Sequence, residues 1–196
     1  MRRIILASES PRRKELLKNI SIDAAVEPAA VDESLFGHLD AREMARELSR
    51  QKAAAVAGRY QNAVIIAADT VGILGSEVLG KPHTPAQAKK MLQSLSGTSH
   101  TVVTAYTIND TSTGKTVTET VETTVYFKKL DAGEIEAYVK TGEPLDKAGG
   151  YAIQGLGSLL VEKISGDYYN VVGLPLSKLA ESLKSFGIDV WKLQNR

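Results

Sequence analysis

The chain has 196 residues, a formal net charge of +1 and a hydrophobic fraction of 43%, values that are typical of one globular domain with an ordinary core. The absence of cysteine excludes disulfides, thiolate metal sites and a cysteine nucleophile, and the near balance of 24 basic and 23 acidic side chains argues against the broad basic face that binds duplex nucleic acid. The longest apolar run, residues 63–68, is too short for a membrane span and residues 4–7 are too short for a signal peptide, so we expect a soluble, cytoplasmic protein.

In chain order, short apolar segments alternate with segments whose sequence is typical of helices and begins with a recognisable capping residue. Strands or apolar segments are predicted at residues 3–7, 63–70, 71–74, 77–79, 100–108, 115–127 and 158–164. Helices are predicted to start at Pro11, Asp40, Thr84, Asp131 and Pro175. The pattern favours an α/β protein with a mixed sheet flanked by helices, into which a long antiparallel pair is inserted.

The stretch GSEVLGKP, residues 75–82, has the spacing of a phosphate-binding P-loop as far as Lys81. The pattern breaks at Pro82, where a P-loop has a Ser or Thr that binds magnesium. A P-loop also leads directly from a strand into a helix, whereas here the next helix begins only near Pro85. We predict a turn between paired strands at Gly75, and Lys81 is either a phosphate ligand or a solvated turn lysine.

Two cations occupy an unusual place at the start of the first predicted helix. Arg12 and Arg13 lie in its first turn, where the helix dipole favours acidic side chains. An anion bound there by backbone N–H groups, by an arginine and by the hydroxyl of Ser8 or Ser10 would explain them. The alternative is that the two arginines form a surface cluster, whose unfavourable interaction with the helix dipole is small enough to be tolerated.

Three further charged residues are candidates for chemistry. Lys52 falls on the apolar face of the second helix, so its ammonium either enters a cleft or escapes to water along its alkyl stem. Asp69 ends an apolar run, and ligands collect at the carboxyl ends of strands in α/β sheets. Its carboxylate suits a divalent metal or proton transfer from water, although an aspartate that starts a turn is also common. Glu33 is a second acid with weaker local support.

The sequence resembles the Maf family of nucleoside triphosphate pyrophosphatases. The resemblance rests on five blocks that follow one another over nearly the whole chain: LASESPRRKELL, AADT with GSEVLGKP, MLQSLSGTSHTVVTA, EPLDKAGGYAIQG and GDYYNVVGLPL. It implies a single Maf-like domain over residues 1–196, with an elongated two-lobed fold, similar to that of the ITPases, around a central nucleotide-binding cleft.

The resemblance also implies an activity and its requirements. The expected reaction is hydrolysis of a nucleoside triphosphate to the monophosphate and pyrophosphate, with magnesium or manganese as the cofactor. The pattern resembles the branch that acts on dTTP and UTP, in unmodified or modified form, more than the branch that acts on 7-methyl-GTP. The resemblance allows a homodimer, and we expect neither a nucleic acid nor a membrane partner.

Residue by residue, the resemblance assigns roles to nine positions of this chain. It assigns the general base to Asp69; a metal site to Glu33 and Asp69; phosphate binding to Ser8, Arg13, Lys52 and Lys81; and substrate specificity to Arg12, Thr70 and Gln154. The Gln154 amide offers an acceptor and donors in one plane, which suits the imide of uracil or thymine. Its alternative role is to close its own turn by bonding the backbone.

Two alternatives stay open at the level of sequence. Asp69 is either the base or chiefly a metal ligand. The protein is either an enzyme or a noncatalytic nucleotide-sensing regulator of septum formation and cell division. The two acids favour the enzyme, because Asp69 and Glu33 repel a triphosphate unless a metal or a proton transfer requires them.

Overall fold

The structure, a computed structural model, describes residues 2–32, 36–37 and 39–193. Within these residues the strands are β1 (Arg3–Leu6), β2 (Ala25–Val26), β3 (Ala63–Leu74), β4 (Glu77–Leu79), β5 (Ser99–Asp110), β6 (Thr116–Phe127) and β7 (Val161–Ser165). The α-helices are α1 (Pro11–Asn19), α2 (Ala41–Ala57), α3 (Pro85–Leu95), α4 (Ala132–Lys140), α5 (Tyr168–Val172) and α6 (Leu176–Lys184). Short 3-10 helices occupy Glu143–Asp146, Ala148–Gly150, Gly155–Leu160 and Val190–Lys192.

The described strands form one mixed sheet, which confirms the predicted α/β class. Its order is β2-β1-β3-β5-β6-β7, and β4 pairs with β3 outside this path. β1 is parallel to both β2 and β3, whereas β4 is antiparallel to β3 and β7 is antiparallel to β6. The parallel part therefore lies around β1, and the antiparallel pairs follow it in the chain.

The chain divides into two compact units. Unit 1 comprises Met1–Asp69, Thr104–Val121 and Gly173–Arg196, and unit 2 comprises Thr70–Val103 and Glu122–Val172. Strands β3, β5 and β6 contribute residues to both units. The boundary in β3 falls directly after Asp69.

In unit 1 a helix packs on the parallel strands through small side chains. The fully buried residues Ile5 of β1 and Ile65 of β3 pack in one cluster with Ala53 and Val56 of α2. Because alanine keeps the helix close to the sheet, side chains of α2 on this face reach groups on β3. α2 begins where the sequence predicts, since the Asp40 carboxylate accepts hydrogen bonds from the backbone N–H groups of its first turn.

Unit 2 has its own core between α3, α4 and the strands. Leu92, Val125, Phe127 and Tyr138 belong to one buried cluster there. The caps that define its two helices were also predicted correctly. The Thr84 hydroxyl caps α3, and a complete capping box starts α4.

The end of the third strand was predicted wrongly. The sequence ends a strand at residue 70, directly after Asp69, and places a separate strand at residues 71–74, but β3 runs without interruption from Ala63 to Leu74. The reason is the antiparallel hairpin with β4, which keeps the second half of β3 extended, and Gly72 admits Leu79 directly opposite it. Asp69 therefore lies inside a long strand and not at its end.

Several short elements were not predicted. They are β2, α5 and the 3-10 helices. Each has too few residues for apolar periodicity to identify it. No described helix combines the length and the apolar character needed to cross a membrane.

A buried histidine in unit 2 gives its core a measurable pH dependence. His100 is 3% exposed and packs edge to face with Phe127 and Tyr151 at ring-centroid distances of 5.6 and 5.4 Å. Its Nε2 lies 3.0 Å from the Tyr151 hydroxyl oxygen, whereas its Nδ1 has no hydrogen-bond partner among the described residues. Burial lowers the pKa of His100 from 6.5 to about 4.

We expect the free energy of unfolding to fall as the pH drops from 6.5 toward 4. The unfolded chain protonates His100 below pH 6.5 while the folded protein resists until about pH 4, so protons favour the unfolded state in this window. Between pH 7.5 and pH 5 this group alone should remove about 2 kcal/mol of stability. Urea unfolding at both pH values measures it, with His100→Phe as the variant that loses the dependence and exposed His83→Gln as the control. An equal pH dependence in wild type and His100→Phe would contradict this.

Candidate active site

The loop between β1 and α1 is organised by two serine hydroxyls. Ser8 is 8% exposed, and its Oγ accepts a hydrogen bond from the Ser10 backbone N–H at 3.2 Å. Ser10 caps α1, its hydroxyl accepting from the Arg13 N–H, and Pro11 then begins the helix as predicted. This loop fixes the direction in which the first turn of α1 presents its side chains.

The Arg13 guanidinium joins three segments of unit 1. Its Nη1 donates to the Ala68 carbonyl oxygen at 2.8 Å and to the Ser8 Oγ at 3.2 Å. Its Nε donates to the Gly173 carbonyl oxygen at 2.8 Å. The Arg13 cation in the first turn of α1 thus binds oxygen atoms of the protein itself. These bonds hold the guanidinium in one orientation against β3.

The backbone carbonyls of Ala68 and Gly173 are parts of this site that sequence reasoning missed. Neither residue has a side chain with functional chemistry. Gly173 has φ of 125°, a conformation that glycine adopts far more readily than other residues. The signal available in the sequence was the glycine of the block GDYYNVVGLPL.

Asp69, the residue that follows Ala68 in β3, forms a largely buried ion pair with Lys52 of α2. The Lys52 Nζ is 2.6 Å from the Asp69 Oδ1, and the two side chains are only 14% and 12% exposed. Lys52 therefore points inward from α2, and its ammonium does not extend into water. This agrees with the first of its two predicted alternatives. Burying either charge without the other would be costly.

These contacts bring four predicted residues together at the middle of β3. Arg13 binds the carbonyl of Ala68, and Lys52 binds the carboxylate of the next residue, Asp69. Ser8 joins the group through Arg13. The cluster contains two cations, one anion and one hydroxyl, a composition that suits an anionic ligand and a proton acceptor beside it.

The remaining predicted residues that the structure describes lie on α1, on β3 and in unit 2. Arg12 is half-buried in α1 and has no hydrogen bond or ion pair with the described residues. Thr70 follows Asp69 in β3 and is half-buried. Lys81 and Gln154, both in unit 2, are exposed. The Gln154 side chain makes no cap to the 3-10 helix that follows it, so its alternative role as a turn-closing residue receives no support.

The stretch GSEVLGKP forms a hairpin, as predicted, and not a P-loop. Gly75 has φ of 61° in the turn between β3 and β4. Pro82 is buried beside Lys81, and α3 begins only at Pro85. The backbone N–H nest that leads into a helix in a P-loop is therefore not built here.

The predicted metal ligands are only partly described. Glu33 lies outside the described residues. Among the residues that are described, no three His, Asp or Glu side chains group as a metal site. Asp69 supplies one buried carboxylate, and Mg²⁺ is commonly held by one or two carboxylates together with substrate phosphates.

Comparison with known proteins identifies relatives over nearly the full chain. The family model described as Maf-like protein matches residues 3–186. The chain is 48% identical to the dTTP/UTP pyrophosphatase of Desulforamulus reducens over 97% of its own length and 100% of that relative. It is 47% identical to the dTTP/UTP pyrophosphatase of Moorella thermoacetica and 46% identical to that of Methanococcoides burtonii, in each case over 97% of this chain and 98% of the relative.

We expect Lys52→Met to destabilise the protein by roughly 3 kcal/mol, because the buried Asp69 carboxylate loses this partner. Asp69→Asn in the Lys52→Met background should restore part of that loss, because the remaining charge is then removed. Urea unfolding of the four proteins of this double-mutant cycle at pH 8 gives the coupling energy. A coupling near zero would mean that the two side chains do not interact in the folded protein.

Proposed function

The chain belongs to the Maf family, and from this premise we propose that it hydrolyses dTTP and UTP to the monophosphate and pyrophosphate. The observation that carries the proposal is the cluster on β3, where Arg13 and Ser8 adjoin the Lys52–Asp69 pair. The three relatives compared above are named for this activity. The reaction acts on the nucleotide pool, and we place the protein in the cytoplasm on that ground.

The cations of the chain neutralise the triphosphate. Hydrolysis at the α-phosphorus requires water to approach an atom that is surrounded by negative oxygens, so charge neutralisation and alignment are the main tasks of the protein. We assign phosphate oxygens to Arg13 and Lys52, with the Ser8 hydroxyl as a further donor. Lys81, exposed after β4 in unit 2, keeps the phosphate-binding role that the family resemblance implies.

Asp69 is assigned the role of general base. Its carboxylate takes a proton from water as the water oxygen forms a bond to the α-phosphorus. The bond from the α-phosphorus to the bridging oxygen breaks on the opposite side, and pyrophosphate leaves with that electron pair. Lys52, at 2.6 Å, orients the Asp69 carboxylate and compensates its charge when no substrate is bound.

A divalent cation fits the oxygen donors of this site. Asp69 and Glu33 are the residues we assign to hold Mg²⁺ or Mn²⁺, because both ions prefer carboxylate and phosphate oxygens. When bound, the cation neutralises negative charge on the phosphates.

Base choice is assigned to Gln154, Arg12 and Thr70. The Gln154 amide is exposed and makes no cap to its own loop, so its acceptor and donors are available to a base. Uracil and thymine present an imide N–H between two carbonyls, whereas cytosine presents an unprotonated ring nitrogen at that position. An amide held in one orientation therefore discriminates between them.

The experiment that tests this function is a pyrophosphate-release assay on the purified protein. It should be run with dTTP, UTP, CTP, ATP and GTP in the presence of Mg²⁺ or Mn²⁺. We expect pyrophosphate and the monophosphate in equal amounts from dTTP and UTP. Nucleotide binding without turnover would instead indicate a nucleotide-sensing regulator.

Asp69→Asn should lower turnover of UTP by ~10²-fold or more, which is the loss expected when a general base is removed. Affinity for a nonhydrolysable UTP analogue should be kept or increased, because the variant has one negative charge fewer beside Lys52. Steady-state kinetics and analogue binding measure the two effects, with Asp23→Asn, an exposed acid of the same unit, as the control. Turnover close to wild type in folded Asp69→Asn would refute the assignment.

Gln154→Ala should reduce the ratio of kcat/KM for UTP to that for CTP by about tenfold or more. Loss of one buried polar pairing is worth about 1–3 kcal/mol, which corresponds to this range. The matched control is Gln93→Ala, an exposed glutamine on α3 of the same unit. An unchanged ratio in Gln154→Ala would show that the Gln154 amide does not set base choice.

A further inference from the structure

One half-buried carboxylate in unit 2 holds the loop that carries Gln154. The Glu143 Oε1 accepts a hydrogen bond from the Gly157 backbone N–H at 3.0 Å, and its Oε2 accepts one from the Leu156 N–H at 3.3 Å. Glu143 itself begins the short 3-10 helix after α4. The carboxylate thus fixes the chain two and three residues after Gln154.

A tyrosine extends the same network to the other side of Gln154. The Tyr138 hydroxyl donates to the Glu143 Oε1 at 2.9 Å and accepts from the Ala152 backbone N–H at 3.3 Å. Burial, together with the bond to Glu143, raises the pKa of Tyr138, so the phenol keeps the proton that it donates. Residues on both flanks of Gln154 are therefore tied to one carboxylate.

The loop around Gln154, residues 152–157, packs closely against Glu143 and Tyr138. A Cβ added at Gly157 would lie 2.4 Å from the Ala152 carbonyl oxygen and 2.7 Å from the Tyr138 hydroxyl. A Cβ added at Gly155, which has φ of 70°, would lie 3.0 Å from the Glu143 Oε2. Glycine at both positions lets the backbone close around the carboxylate.

We propose that Glu143, with Tyr138 as its link to Ala152, is a positioning residue that fixes the backbone from which the Gln154 amide extends and so sets the preference for a uracil-type base. This inference rests on the proposed function, in which Gln154 reads the base. The physical argument is that the amide pairs with a base edge only from a suitable distance and angle, and a backbone that is tied on both sides of Gln154 supplies a constant starting point for it. Glu143 touches neither the base nor the phosphates in this assignment and acts only through the loop.

A purely structural role for Glu143 predicts different behaviour. Loss of the network would then lower stability, or lower turnover of every nucleotide by the same factor. A positioning role predicts a change in the ratio between UTP and CTP, and predicts that this change requires Gln154. The ratio of kcat/KM for UTP to that for CTP, measured with and without the Gln154 amide, therefore distinguishes a structural role from a positioning role.

The experiment combines Glu143→Gln and Tyr138→Phe, each alone and in the Gln154→Ala background. Glu143→Gln replaces an acceptor by a donor at nearly the same volume, and Tyr138→Phe removes only the hydroxyl. The control is Glu136→Gln, an exposed acid on α4 that pairs with Lys140 at 3.4 Å. The measurements are kcat/KM for UTP and CTP, thermal unfolding, and hydrogen exchange of the amides in residues 152–157.

In the wild-type background we expect the UTP to CTP ratio to fall about tenfold and the loop amides to exchange faster. In the Gln154→Ala background the same substitutions should change the ratio by less than twofold. The proposal is overturned if the ratio is unchanged by both substitutions, or if the fall persists without the Gln154 amide.

These outcomes are distinguishable from failure of the proposed function. A wild-type protein that releases no pyrophosphate refutes the function itself, and Gln154→Ala with Glu143 intact tests the base-reading role alone. Faster amide exchange with an unchanged ratio would leave Glu143 with a structural role only. If Glu143→Gln does not fold, Tyr138→Phe, which keeps the ring in the core, decides the question.

Discussion

The buried ion pair between Lys52 and Asp69 is the constraint on which the rest of the site depends. A lysine on the apolar face of α2 and an aspartate inside a buried strand are each unfavourable alone, and together they compensate at 2.6 Å. The pair requires α2 to lie close to β3, which the alanine and valine contacts of that interface provide. The largely buried Asp69 carboxylate beside Lys52 is the proton acceptor of the proposed reaction, which links the packing of unit 1 to the proposed chemistry.

Arg13 connects the middle of β3 to the loop before α1 and to Gly173, which follows α5. Ser8 lies 5 residues before Arg13, whereas Ala68 and Gly173 lie 55 and 160 residues after it. Two of these three acceptors are backbone carbonyls, so these bonds of the guanidinium depend on the backbone of the fold. In the proposed function the phosphates bind cations that are already oriented, which lowers the ordering entropy lost on binding.

Features that depend on neighbouring residues were predicted from the sequence, and features that depend on distant backbone were not. The caps of α2, α3 and α4 were found because a capping side chain bonds N–H groups two or three residues away. Asp69 was recognised as chemically important but was misplaced at a strand end, since only pairing with β4 shows that β3 continues. The carbonyl of Gly173 and the network around Glu143 have partners that no local pattern identifies, because their partners are backbone atoms or lie far along the chain.

A single isotope measurement tests which phosphorus atom is attacked by water in the proposed reaction. Hydrolysis of UTP by the purified protein in water enriched in ¹⁸O labels whichever product received the attacking oxygen, and mass spectrometry locates it. Attack at the α-phosphorus beside Asp69 places one ¹⁸O atom in UMP and leaves the released pyrophosphate unlabelled. Label in pyrophosphate, or release of inorganic phosphate in place of pyrophosphate, would contradict the mechanism derived for this site.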